Sequence, residues 1–521
     1  MSGEGMSGAG MSGEGMSAGE AEVDPAALRR QIATTLMPGF AGTTLPEWLA
    51  QRLRDGLGAV CIFGPNIVSW AQLRDLTDDI RAANPLAVIA IDEEGGDVTR
   101  LYYDSGSPYP GNAILGRLDD IGRTKEIGRM VGWELRAAGC TMTFAPDVDI
   151  NSNPDNPVIG VRSFGTVAER VGAHGAAWVS GLQSTGIAAS PKHFPGHGDT
   201  AQDSHLAVPI VDVGLDELRL RELLPFRAAI AAGAKTVMTS HILLPRIDQV
   251  NPATLSRRIV QGLLRDELGF DGVIVTDALD MTGASGVLGI AGAAATALAA
   301  GCDLLCIGTA NTDAQLHEIE ERVLAAIDAG ELTRARVAEA AGRVLALAED
   351  SAAAAIRIPI PEYIKNDEPE FDLGQISATF EVGERGNAWL ADPPRTCSVI
   401  RLDTVANIAV GGAPWGPFAE LVANPTSQIA EEWGDRPIVA CTGRSDSDVV
   451  LASFAPVLVV GKDNHRHAWA SELIDRLRAE GREVLVVDMG WPSDDRAYAD
   501  IATFGASRLV GRSLLNLLSS R

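Results

Sequence analysis

The chain has 521 residues, more than the roughly 100–200 of one ordinary domain, so two or three domains are expected. Lys and Arg total 43 against 69 Asp and Glu, and the formal net charge of −26 repels phosphate backbones and excludes a general nucleic-acid binder. Apolar residues at 46% with aromatics at only 5% favour packed α/β architecture over an aromatic-rich β-sandwich.

Residues 1–24 repeat a short Gly/Ser-rich unit (MSGEG, MSGAG, MSGEG, MSAGE) that cannot bury a core, so a disordered tail is expected. The tail lacks the charged-then-apolar design of a signal peptide. No run of about 18 apolar residues follows, so no membrane-spanning helix is expected.

From 25 to 350, β-branched runs alternate with Ala/Leu/Arg-rich amphipathic stretches. The runs fall at 34–40, 58–63, 86–92, 140–146, 187–193, 236–243, 272–277 and 302–307. Helical patterns lie between them, for example at 216–232 and 253–268. Strands alternating with helices imply parallel βαβ units. Eight such units predict a (β/α)₈ barrel with some enlarged loops. The competing doubly wound sheet usually carries a G-x-G-x-x-G turn after its first strand, and none is found there.

A barrel places catalytic groups at the C-terminal ends of its strands. Asp92, Asp147, Lys192 with His193, His241 and Asp277 all stand at or just beyond such ends. Single acids there could be helix caps, but five strands ending this way point to one pocket.

Residues 351–395 carry five prolines and an acidic run, and read as an interdomain connection with one or two strands. Residues 396–521 alternate again, with strands expected at 407–410, 437–441, 457–460 and 483–487 and helices at 468–480 and 506–518. A smaller α/β sandwich domain fits, with no complete catalytic constellation. His465 and His467 lie in a polar loop, either solvated or reaching toward the barrel mouth. The six cysteines are scattered without zinc-ribbon spacing, so buried free thiols and a reducing, cytoplasmic setting are expected.

The densest polar cluster is 192–205, which holds three of the eight histidines. Lys192 and His193 sit where the loop leaves its strand and suit hydrogen bonding to a polyhydroxylated ligand. His197, Asp199, Asp203 and His205 lie on the loop itself. In Asp203-Ser204-His205 the carboxylate can hold one ring nitrogen while the other faces substrate, as a general acid requires. A metal site and a self-stapled structural loop remain open on spacing alone. In VIVTDALDM, Asp277 leaves a buried strand and could attack an acetal carbon, while Asp280 is expected to face solvent or cap a helix. In DEEGGDVTR, the paired glycines permit a tight backbone beside a ligand, and Asp92 could accept two sugar hydroxyls. In the turn-rich segment 151–165, Arg162 is either a pocket cation or one half of an ion pair.

With these elements in chain order, the sequence resembles family 3 glycoside hydrolases, and within them the bacterial β-N-acetylglucosaminidases (β-N-acetylhexosaminidases). KHFPGHGDT followed by DSH is the specific signature, and FAPDVDINSNPDNPVIGVRSFG and VIVTDAL add independent support. The resemblance covers about residues 30–350. TFGASRLVGR at 503–512 looks like the close of the two-domain members, whose second domain is an α/β sandwich.

The resemblance implies an exo-acting retaining enzyme. Asp277 would form the covalent glycosyl-enzyme. His205, oriented by Asp203, would be the acid/base. Asp92, Arg100, Arg162, Lys192 and His193 would hold the non-reducing sugar, with no metal and no cofactor. Small β-linked N-acetylglucosaminides from cell-wall fragments or chitin oligosaccharides are the implied substrates, with glucosides tolerated. One departure stands out: after the double glycine the commoner pattern has Arg where this chain has Asp97. Retaining glycosidases usually pair two carboxyl groups about 5–5.5 Å apart. An imidazole in place of the second avoids anionic repulsion, so inorganic phosphate could serve as acceptor, and a phosphorylase is the alternative reading. A metal-dependent barrel hydrolase and a non-catalytic sugar-binding protein are the remaining competitors. The Gly/Pro-punctuated loop carrying His205 is expected to close over substrate.

Overall fold

The computed structural model describes residues 24–200, 208–365, 369–404, 409–443 and 455–519. The N-terminal repeat, Asp203 and His205 lie outside the described residues.

Eight short strands build the barrel: β1 (Leu36–Pro38), β2 (Ala59–Ile62), β3 (Val88–Ile91), β4 (Met142–Thr143), β5 (Ala188–Ala189), β6 (Thr236–Met238), β7 (Val273–Val275) and β8 (Leu305–Gly308). All their pairings are parallel: β2-β3-β4-β5 form one ladder, and β6-β7 and β8-β1 form two more. Single bridges join the ladders, Phe194 to Thr239 and Val275 to Leu304.

Alternation along the strands makes two cores. Val60, Ile62, Ile89, Ile91 and Ile274 face the surrounding helices. Ala59, Cys61, Val88, Ala90, Val273 and Val275 point inward, where Met37, Met142, Phe144 and Met238 fill the barrel centre. Strand ends at 140–146 and 187–193 run beyond the regular pairing because their last residues turn into the site. Contact persists there as an Asp147–Lys192 bridge. The pattern at 216–232 is two helices, Leu215–Leu220 and Leu223–Ala231, interrupted at Arg221-Glu222. The pattern at 253–268 is a 3-10 turn, Ala253–Leu255, and a π-helix, Arg258–Glu267.

The helix Arg334–Arg357 runs through residue 350, and Val344, Leu347 and Ala348 join the barrel-centre cluster. Beyond it, the proline-rich segment contributes β9 (Glu381–Val382) and the helices Leu373–Ser377 and Glu384–Ala391. The second sheet adds β10 (Ser398–Leu402), β11 (Ile438–Cys441), β12 (Val457–Gly461), β13 (Val484–Asp488) and β14 (Ile501–Ala502). Its order is β11-β10-β12-β13-β14-β9, parallel except for the last pair. Val399, Leu458, Val460, Leu485 and Val487 pack under helix Arg508–Ser519. Ile400, Val457, Val459, Val484 and Val486 pack under helix Ala468–Ala479. Helices on both faces explain the continuous apolar runs. Of the strand expected at 407–410, residues 407–408 lie outside the described residues; the sheet strand in this region is β10, where Arg401 interrupts the apolar run and its guanidinium lies 4.9 Å from the Phe418 ring centre. Residues 409–410 form a turn.

The two units meet closely. Ile114 of the barrel unit is fully buried among the second unit's core residues. Arg117 stacks on Phe504 at 3.9 Å, and Arg466 donates to the Pro154 carbonyl at 2.7 Å. Among the described residues, no helix is long and apolar enough to cross a membrane. All six cysteines are buried and free.

At the opposite end of the barrel from the site, Asp303 is fully buried, receives the Ile274 N–H at 2.9 Å, and pairs with Arg265, Arg336 and Arg343. Asp303→Ala leaves three guanidinium groups without their shared counter-ion. It is expected to lower unfolding free energy by roughly 3–5 kcal/mol in urea titrations.

Candidate active site

A pocket of about 370 Å³ opens where the barrel strands end. Its wall takes Phe63 after β2, Asp92 after β3, Phe144 after β4, Lys192 and His193 after β5, Met238 of β6, Asp277 after β7 and Thr309 after β8. Arg100, Arg162 and His197 reach it from loops, and Ala409 reaches it from the second unit.

The polar wall is one connected charge network. Glu94 accepts two hydrogen bonds from Arg162, Nε at 3.0 Å and Nη2 at 2.7 Å. Lys192 Nζ lies 2.8 Å from both Glu94 Oε1 and Asp92 Oδ1. Arg100 stands 3.9 Å from Asp92 Oδ2, and its Nη2 donates to the Ala409 carbonyl at 2.6 Å. Burial alone would raise both carboxyl pKa values. The cations outweigh it and hold Asp92 and Glu94 down at about 2.

Behind this network, Asp149 organises the two histidines. It accepts the backbone N–H groups of His193 (3.2 Å) and His197 (2.7 Å), and stands 2.7 Å from His193 Nδ1. Burial, with Arg162 and Lys192 nearby, pushes the His193 pKa well below its ordinary value. The neutral ring therefore donates from Nδ1 to Asp149 and turns its Nε2 lone pair toward Arg162, 3.5 Å away. Asp147 Oδ2 is 3.6 Å from Arg162, and burial and the negative charge of Asp149 push its pKa well up.

Local sequence explains these placements. Glu93 turns back on its own loop, accepting from Thr99 Oγ1 and the N–H groups of Arg100 and Leu101. That turn aims Asp92 and Glu94 at the cations. Gly198 is fixed by space: a Cβ there would lie 1.6 Å from the Ile150 carbonyl oxygen. Asn156 clamps the same segment by donating to the His197 and Gly198 carbonyls.

Asp277 is half-buried in the pocket wall, and its Oδ1 accepts the Ala278 N–H at 2.8 Å. The structure thus brings Asp92, Arg100, Arg162, Lys192, His193 and Asp277 together. Asp280 is exposed at the mouth and accepts the Thr309 N–H. His241 is not part of the pocket wall: its ring is held by Thr254 Oγ1 and the Ala278 carbonyl, each at 3.0 Å, so it braces the strand end that carries Asp277. Asp97 serves the unit interface, where its Oδ1 accepts the Ala506 N–H at 2.8 Å. A guanidinium at that position could not accept this bond.

The sequence reading gives Glu94 and Asp149 no role, and His197 only a place among several candidates on the loop. The signal was present, since each lies two to four residues beyond an expected strand end at 92, 146 or 193. Asp147, Asp149 and His193 also place ligand atoms close enough for a cation. Asp149 is already occupied by N–H donors and Arg162 adjoins Asp147, so this donor set suits imidazole orientation better than metal binding.

Residues 28–347 match the description "Glycosyl hydrolase family 3 N terminal domain". The chain belongs to glycoside hydrolase family 3. It is 40% identical over 269 residues to a beta-hexosaminidase A of Pseudoalteromonas piscicida, a match spanning 47% of this chain and 45% of that one. It is 38% identical over 301 residues to a beta-hexosaminidase of Stenotrophomonas maltophilia, spanning 56% of this chain and 88% of the relative. Among solved structures, the family 3 beta-N-acetylglucosaminidase of Paenibacillus sp. FPU-7 superposes with a TM-score of 0.80 at 29% identity, covering 94% of this chain and 96% of that one. The architecture is accordingly a TIM-like barrel followed by an α/β sandwich.

Arg162→Met would leave Glu94 and Asp147 without their guanidinium, lowering stability by roughly 3–5 kcal/mol at neutral pH. Because the folded Glu94 pKa is depressed from 4.5 to about 2, its share of the pairing is present above 4.5 and fades as pH falls toward 2. Urea titrations of wild type and variant should therefore converge across that window.

Proposed function

We propose that the chain is a retaining exo-β-N-acetylglucosaminidase that removes a terminal β-linked N-acetylglucosamine through a covalent intermediate on Asp277. The convergence of Asp277 with the Asp92–Lys192–Glu94–Arg162 network in one pocket carries this reading. The names of the hexosaminidase relatives support the substrate.

In this reading the paired ions act as a preset hydrogen-bonding frame. Asp92 accepts from sugar hydroxyls, while Lys192, Arg100 and Arg162 donate to them. Their mutual pairing keeps each group in place before substrate arrives, so little reorganisation accompanies binding. The pocket volume suits one sugar unit with its leaving group at the mouth, which makes the action exo. The Asp277 carboxylate attacks the anomeric carbon as the glycosidic bond breaks. His205, positioned by Asp203, protonates the departing oxygen, then takes a proton from the water that releases the sugar from Asp277. The family resemblance assigns these last two roles. Small N-acetylglucosaminides from cell-wall or chitin fragments are the proposed substrates, with glucosides as slower ones. Six free buried thiols support a reducing, cytoplasmic setting.

Asp277→Asn should abolish turnover of an aryl β-N-acetylglucosaminide by several orders of magnitude in initial-rate assays, and retained turnover would remove Asp277 as nucleophile. His205→Ala should slow substrates with poor leaving groups far more than activated aryl ones; equal losses would remove it as the acid. With phosphate added, product analysis should give free sugar alone, and sugar 1-phosphate would instead establish the phosphorylase.

A further inference from the structure

The other basic side chains of the pocket wall are already paired or hydrogen-bonded: Lys192 to two carboxylates, Arg162 to Glu94 and the Val158 carbonyl, Arg100 to the Ala409 carbonyl, and the neutral His193 to Asp149. His197 is different. It is 2% exposed and lines the pocket, yet neither ring nitrogen has a hydrogen-bond partner on any other described residue, and only the residue's own backbone acts on the ring in that way. Its backbone is held from both sides, by Asp149 through its N–H and by Asn156 through its carbonyl. The unspent ring is therefore built into a fixed position. A buried polar group without a partner is costly unless a ligand satisfies it.

We propose that His197 is the specificity-determining contact for the substituent at C-2 of the sugar. This rests on the hexosaminidase reading above. His197 lines the same pocket as Asp277, and its ring centre lies 6.0 Å from that of His193. A group beside the nucleophile would meet the atoms flanking the anomeric carbon. The ring oxygen on one side offers only an acceptor. The C-2 acetamido group on the other offers an N–H donor and a carbonyl acceptor. Burial lowers the His197 pKa and keeps the ring neutral, so it presents one donor and one acceptor of its own. Val158 and Met238 in the same wall supply apolar surface for the acetyl methyl.

The test compares an aryl β-N-acetylglucosaminide with the matching aryl β-glucoside for wild type, His197→Phe, His197→Asn and His197→Gln, with thermal melts as a folding control. Phe and Asn should lower kcat/KM for the N-acetyl substrate roughly 30- to 100-fold, mostly through KM, and the glucoside only about threefold. Gln, whose longer amide offers both a donor and an acceptor, should recover most of the N-acetyl loss. Should His197→Phe fail to fold, the Asn–Gln contrast decides alone. Parallel losses on both substrates, or no loss on either, would overturn the proposal. Wild type turning over the glucoside but not the N-acetylglucosaminide would instead overturn the hexosaminidase reading, an outcome the wild-type arm alone reveals.

Discussion

The two-point hydrogen bond between Arg162 and Glu94 is the constraint on which the site depends. Both side chains are almost fully withdrawn from water, so neither charge is tolerable there alone. Their pairing fixes Arg162 against Asp147 on one side and lets Glu94 share Lys192 with Asp92 on the other. Three distant sequence segments, the turn after β3, the loop after β4 and the end of β5, are thereby locked into one register. The network adds orientation more than net stability, since desolvation consumes much of the Coulomb attraction. Orientation is what a polyhydroxylated substrate requires, because its hydroxyls differ only in direction.

Asp149 performs the same service for the histidines. One carboxylate satisfies two backbone N–H groups and one imidazole, so the path of the loop and the tautomer of His193 are set together. The carboxylate thereby decides which nitrogen of the His193 ring is left facing away from it.

Much of this was legible in the sequence. Short β-branched runs ending in Asp, Lys or His announce a barrel whose mouth is polar, and the density of histidines and acids at 192–205 singles out the loop after the fifth strand. The limits have physical causes. Asp92, Glu93 and Glu94 are three consecutive acids with three fates, and only the backbone turn separates pocket-wall carboxylate, loop staple and arginine partner. His241 stands at a strand end like the others, but Thr254 and the Ala278 carbonyl consume both of its nitrogens. The apolar run containing Arg401 hides a strand, because the cation finds an aromatic face that no local pattern shows. The π-helix at Arg258–Glu267 carries the same amphipathic signature as an α-helix and cannot be told from one by periodicity.

Arg100 is oriented by a carbonyl of the other unit. Ala409 accepts its guanidinium at 2.6 Å and lines the pocket itself. Occupancy of the pocket by any ligand that favours the anchored arginine and apposition of the two units are therefore linked functions in the thermodynamic sense: each kilocalorie of that preference is returned in full as adhesion between barrel and sandwich. The second unit is in this respect a reciprocal ligand of the first.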